Sequence, residues 1–167
     1  MRITIRNAKV SDARSLIEHA NTVAGESDHL TFGPGEFDFT EEKQIAFLEG
    51  LKKSPNAVYF VAIQSGKIVG ALNFQGGRRP RVRHEGTFGL SVLKKCWGMG
   101  IGSKLLSRLI AWAPKHGISK INLKVHVDNP RALFLYLRHG FEFEGKILRD
   151  LKIKSKYIDS YAMGLCL

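Results

Sequence analysis

The run Trp97-Gly98-Met99-Gly100-Ile101-Gly102-Ser103 constrains this chain more than any other stretch. Three glycines alternate with other residues, and a helical apolar pattern (Ile101, Leu105, Leu106, Leu109, Ile110, Ala113) begins at once. Glycine lacks a Cβ, so such a loop lets backbone N–H groups crowd around a bound group. The helix that follows adds its unpaired first-turn donors and the positive end of its dipole. Together these make an anion site, most often one for phosphate.

The position of the run narrows its use. Strands are expected at Ile3–Asn7, Ala57–Ile63, Ile68–Phe74 and Glu85–Val92, then at Ile121–Val127, Phe141–Leu148 and Tyr157–Leu165. Helices are expected from the Ser11-Asp12 cap to about Ala24, from Thr40 to about Lys53, after the glycine run, and from Asn129-Pro130 to His139-Gly140. The order β-α-α-β-β-β-α-β-α-β-β predicts a mixed α+β sheet, largely antiparallel, with about four helices and one β-α-β crossover at the glycine run. A dinucleotide-binding Rossmann unit would carry its glycines after the first strand and an acid about 20 residues on. Here the run follows the fourth strand, and the corresponding position holds Lys120 and Ile121. A Walker A loop is excluded because no Gly-Lys-Ser/Thr closes the run.

Composition fits a single domain over 1–167: 44% hydrophobic and 25% charged residues in 167. No run of 18 apolar residues suggests a membrane span, and Met1-Arg-Ile-Thr-Ile-Arg lacks the apolar core of a leader. Cys96 and Cys166 stand in no metal-ligand spacing, so no metal is expected and a reducing cytoplasm is the expected location. The net charge of +11 fits either RNA or a ribosome as partner, or a basic bias joined to an anionic cofactor. Gly25–Glu49 runs the other way. It holds seven acids against Lys43 alone, a net of −6 that leaves +17 on the rest.

Three features together resemble the GNAT superfamily of acetyl-CoA-dependent N-acyltransferases. Val92-Leu-Lys-Lys-Cys-Trp-Gly98-Met-Gly100-Ile-Gly102-Ser103-Lys-Leu-Leu106 is similar to that family's pyrophosphate loop, Arg/Gln-x-x-Gly-x-Gly/Ala. Asn129-Pro-Arg-Ala132-Leu-Phe-Leu-Tyr136-Leu-Arg-His-Gly140-Phe141 is similar to its later helix, and Ile5-Arg6-x-Ala8-x-x-x-Asp12-Ala13 to its opening. The resemblance covers nearly the whole chain. Two departures stand out: Trp97 where Gln or Arg is usual, and Lys94 where proline is frequent.

The resemblance implies direct acetyl transfer from acetyl-CoA, as co-substrate, to a primary amine. The amine would belong to a small molecule or a peptide N-terminus. It places the cofactor on backbone groups of Trp97, Gly98, Met99, Gly100, Ile101, Gly102 and Ser103, with Asn129, Ala132 and Tyr136 beside it. A backbone N–H among Leu90, Ser91 and Val92 would polarise the thioester, at a bulge that Gly89 would suit. Tyr136 matches the general acid, since a phenol stays protonated at neutral pH. Glu85 begins the strand that runs to the cofactor, where some relatives carry a glutamate base; His84, next to it, points to the opposite face. In this family the acidic Gly25–Glu49 region shapes the acceptor site, and its charge would draw in a cationic amine. A non-catalytic module of the same fold, binding acetyl-CoA or docking on RNA, is the alternative. The strand Lys156–Leu165 is a candidate for pairing across a homodimer, and Arg78–Arg83 is either a docking loop or a solvated hairpin loop.

Overall fold

The structure, a computed structural model, describes residues 3–167; Met1 and Arg2, part of the N-terminal segment considered above, lie outside the described residues. Strands β1 (Thr4–Asn7), β2 (Ala57–Gln64), β3 (Lys67–Gly76), β4 (Glu85–Val92), β5 (Lys120–His126), β6 (Glu142–Ile153) and β7 (Lys156–Cys166) form one sheet in the order β1-β2-β3-β4-β5-β7-β6. Helices α1 (Ala13–Glu26) and α2 (Glu41–Lys53) precede β2, α3 (Ile101–Trp112) joins β4 to β5, and α4 (Pro130–Arg138) joins β5 to β6. The β4–β5 pair is parallel and every other pair is antiparallel. The expected mixed α+β architecture is therefore what the chain forms.

Alternation along the central strands sends side chains to two separate cores. On one face Leu72 and Phe74 pack with Phe60, Leu105, Leu106, Leu109, Ile121 and Met163 beneath α3. On the other, Val61, Ile68 and Ala71 pack with Ala13 and Leu16 of α1 and Leu48 of α2. Gly70 lies on the first face. A Cβ there would come within 2.9 Å of Ile101 and 3.2 Å of Leu105, so the glycine lets α3 lie close on β3.

Several boundaries differ from expectation for local reasons. Asp12 does not cap α1. It accepts both guanidinium N–H groups of Arg6 (2.6 and 2.9 Å) and the Lys9 N–H, which closes a 3₁₀ turn over Val10–Asp12. Helix α1 continues through Gly25 to Glu26, whose carboxylate accepts the backbone N–H of Lys94 at 2.6 Å. That bond accounts for one departure from the family pattern, because a proline at 94 would have no N–H to give. The β6–β7 hairpin runs further than expected, and its register slips between Phe143 and Gly145 and between Ile147 and Leu151. Ser160 to Gly164 of β7 lies between β5 and β6, paired on both sides. Over Ser160–Gly164 both sides of this strand are therefore occupied within the chain, which leaves that stretch no free side for pairing across a dimer.

The fully buried Leu105 and the exposed Leu148 give a direct test of this core. Leu105→Ala is expected to cost about 2–5 kcal/mol in denaturant unfolding, and Leu148→Ala under about 0.5 kcal/mol. Similar values for the two would mean that α3 does not seat on the sheet as described.

Candidate active site

The site begins where two neighbouring strands separate. β4 and β5 pair only over Glu85–Thr87 and Lys120–Asn122, and then diverge. Beyond Thr87, the β5-facing edge of β4 has no strand partner. Gly89 sends its N–H to the Asn73 side chain on β3 (3.1 Å), and Leu93 sends its N–H to Val69 O. Backbone groups alternate sides along a strand, so Phe88, Leu90 and Val92 direct theirs into the opening. Of the three backbone positions expected to polarise a thioester, Leu90 and Val92 thus present an N–H there, while Ser91 faces β3. The expected bulge at Gly89 is absent, because the β3–β4 register is continuous. The glycine has another use: a Cβ there would lie 2.8 Å from the Asn73 side-chain oxygen.

The glycine loop stands at the end of the same opening. Gly98 (φ 81°) and Gly100 (φ 74°) are both in the left-handed region, which only glycine enters without strain. Gly100 is the N-cap of α3, and the N–H groups of Gly98, Gly100, Ile101, Gly102 and Ser103 have no acceptor among the described residues. Five unpaired donors on a helix N-terminus are what a pyrophosphate requires, so the loop fits the group the sequence implies. The Ser103 hydroxyl is engaged elsewhere: its Oγ and that of Ser107 lie 3.2 and 3.3 Å from Nε2 of His139, which stitches α3 to the end of α4.

Trp97 has a structural role that the usual Gln or Arg would not fill. Its indole N–H donates to Val92 O at 2.7 Å, and Arg131 of α4 stacks over its ring at 4.8 Å. Loop, strand end and α4 are braced together, with a guanidinium beside the unpaired donors. Asn129 caps α4, its Oδ1 accepting the Ala132 N–H at 3.1 Å. Tyr136, one turn further on, is 8% exposed and packs edge-on against Phe88 (5.8 Å) and against Phe141 (5.8 Å). Burial pushes its phenol up to about 12.

Glu85 lies on the other face of β4, in line with Thr87, Gly89 and Ser91. Its Oε2 accepts from the Asn122 side chain at 2.9 Å. It sits at the closed end of the opening, three residues or roughly 10 Å along the strand from Phe88. On the same face His19 of α1 is 5% exposed, and its Nε2 lies 2.9 Å from Ser91 Oγ. Burial pushes His19 down to about 4. The sequence reading passed over this residue, although a histidine on the apolar stripe of α1 was the available signal.

Most of the acidic segment turns out to have local duties. Glu26 holds Lys94, Glu36 accepts the Gly33 N–H at 2.7 Å, and Glu41 and Glu42 stand in the first turn of α2 beneath the Thr40 cap. Between them runs a chain of ring contacts, Phe32–Phe37–Phe39–Phe47–Tyr59, with centroids 5.1 to 6.4 Å apart. Asp28 and His29 instead face a cleft of about 550 Å³. Its other walls are His126 and Asp128 at the end of β5, and Ile153 to Lys156 and Ile158 at the β6–β7 turn. Burial and the nearby His29 both hold His126 below the usual imidazole range. The Arg78–Arg83 loop is an exposed turn tied down by Asn56, whose side-chain amide donates to Gly77 O (3.0 Å) and Arg83 O (3.4 Å).

Known proteins share this arrangement. Residues 26–141 match the acetyltransferase (GNAT) family. The chain is 32% identical over 117 residues to the L-amino acid N-acetyltransferase AaaT of Escherichia coli, covering 70% of this chain and 72% of that one. A GNAT-family acetyltransferase from Streptococcus pneumoniae superposes with a TM-score of 0.96 at 34% identity, over 99% of both chains. The structure of yncA from Salmonella typhimurium with acetyl-CoA superposes at 0.88 with 21% identity, over 100% of this chain and 95% of that one. The chain belongs to the GNAT family and is an acyltransferase of its N-acetylating class. No helix among the described residues is long and apolar enough to cross a membrane.

His19 makes the site region sensitive to acid. An unfolded histidine titrates near 6.5 and the folded one near 4, so between these values the unfolded state binds the extra proton. Stability is therefore intact above about pH 6.5, falls as pH drops through the window, and levels off below about 4. The expected loss is up to about 3 kcal/mol. Denaturant unfolding of the wild type and His19→Gln at pH 7.5 and 4.5 checks this; an equal loss in both would remove His19 as the cause.

Proposed function

We propose that this chain moves an acetyl group from acetyl-CoA directly to the primary amine of an amino-acid-sized acceptor, within a ternary complex. The observation that carries the proposal is convergence. The five unpaired loop donors, the free edge of β4 at Leu90 and Val92, and the Tyr136 phenol all bound one opening in the sheet. Loop N–H groups from Gly98 to Ser103 bind the pyrophosphate, with Arg131 adjacent. The β4 edge pairs with the amides of the extended arm as a partner strand would. An N–H of Leu90 or Val92 then polarises the thioester carbonyl as negative charge builds on its oxygen. Tyr136 donates its hydroxyl hydrogen bond to the departing sulfur.

The acceptor enters from the opposite face, through the cleft between the α1–α2 segment and the β6–β7 turn. That cleft carries Asp28 and Asp128 on one wall and Lys154 and Lys156 on the other. Such a distribution suits a zwitterion, and the relative AaaT is named for L-amino acids. Glu85 takes up the amine proton through intervening water, since the strand places it too far along to touch an atom held at Leu90.

Release of free thiol from acetyl-CoA, measured with a panel of amino acids, polyamines and peptide N-termini, tests the reading. Stimulation by amino acids is the expected result. A rise in melting temperature with acetyl-CoA but no amine-stimulated release would mark a binding module instead. Tyr136→Phe is expected to lower kcat by roughly 10²-fold or more with little change in acetyl-CoA affinity, and equal losses in both would discard the role given to the phenol. Glu85→Gln is expected to move the acid limb of the kcat/KM profile against pH; an unchanged profile would leave deprotonation to solvent.

A further inference from the structure

We infer that His29, His126 and Asp128 form a binding site for one divalent transition-metal ion, with Zn²⁺ as its natural probe. The three side chains offer two imidazole nitrogens and a carboxylate oxygen, all within 4.8 Å of one another. His29 Nδ1 is already 3.7 Å from Asp128 Oδ1, and the two imidazole rings stand edge to face with centroids 5.5 Å apart. Ligand atoms around tetrahedral zinc, with bonds near 2.0–2.1 Å, are separated by about 3.3 Å. His29, on an exposed turn, would have to move by about an ångström to close the remaining difference.

Two of the ligands are fixed by the fold. His126 ends β5 and is 6% exposed, with neither ring nitrogen hydrogen-bonded among the described residues. Asp128 precedes the Asn129 cap of α4, which holds its backbone in place. Both look into the 550 Å³ cleft, so a fourth coordination position is left for water or for a ligand in the cleft. Two nitrogens and one carboxylate select Zn²⁺, Co²⁺ or Ni²⁺ over the all-oxygen preferences of Mg²⁺ and Ca²⁺. The bound ion would tie the α1–α2 segment to the end of β5, across one wall of the cleft.

The test is calorimetric titration of chelator-treated protein with ZnCl₂, in the absence of acetyl-CoA and acceptor, so its outcome is separate from that of the acceptor assignment. One ion per chain is expected, and Co²⁺ in its place should give visible d–d absorption of a four-coordinate site. His29→Ala, on an exposed segment, and Asp128→Asn should each weaken binding by about tenfold or more, while His116→Ala, at a histidine that stacks on Trp112 before the start of β5 whereas His126 ends that strand, leaves it unchanged. Absence of stoichiometric binding, or equal affinity in wild type and His29→Ala, would overturn the inference.

Discussion

β4 and β5 hold one another through three residue pairs and then part, and the rest of the site is arranged around that gap. Each strand keeps its other neighbour throughout: β4 stays in register with β3 up to Val92, and β5 with β7 up to His126. The gap is therefore a stable feature of the sheet and not a frayed edge. The rings of Phe88, Tyr136 and Phe141 pack against one another beneath it. The groups it leaves unpaired at Phe88 and Leu90, and the N–H of Val92, form an edge inside a sheet, open only to water or to a ligand with amides of its own. In the proposed complex an extended acyl-CoA arm would satisfy that edge, which would join the gap and the glycine loop in one binding surface.

The loop is held in place by bonds that reach well beyond it. Glu26, at the end of α1, fixes the turn before it through Lys94, and Trp97 fixes its start to the end of β4. Arg131 and His139 tie the loop and α3 to the two ends of α4. The donors of Gly98 to Ser103 are thus set in position before any anion arrives, so little ordering cost falls on binding.

What the sequence made legible was whatever depends on local pattern. The glycine run, the Thr40 and Asn129 caps, and the alternation of β5 are all written within a few residues, and the element order follows from them. Long-range relations were hidden. Ser91 gave no sign that its backbone faces β3, because strand register depends on Asn73 and Gly89 together. Nothing local in Lys156–Leu165 says that both sides of its Ser160–Gly164 stretch are taken. His29 and His126 are separated by most of the chain, so ligand spacing along the sequence was silent about their approach. The acidic segment misled in another way. Charge counting does not reveal that Glu26 and Glu36 accept backbone N–H groups, leaving Asp28 to face the cleft.

The two faces of the gap also bear on how the proposed transfer divides its protons. Tyr136 reaches the opening from the α3–α4 side, through Phe88, whereas Glu85, Asn122 and His126 lie on the side of α1 and α2. In the proposed transfer the acceptor nitrogen adds to one face of the thioester carbonyl carbon, and the tetrahedral adduct then expels the sulfur toward Tyr136. A phenol near 12 is a weaker acid than a thiol near 8.5, so complete transfer of its proton to sulfur is uphill by about 4–5 kcal/mol. In the proposed transfer Tyr136 would accordingly serve as a hydrogen-bond donor to charge developing on sulfur and keep its proton. The same burial that raises its pKa strengthens that bond, because the surroundings screen it little. In this scheme the proton that sulfur finally takes is matched by the one the nitrogen loses, and it would travel through water on the open side of the cleft.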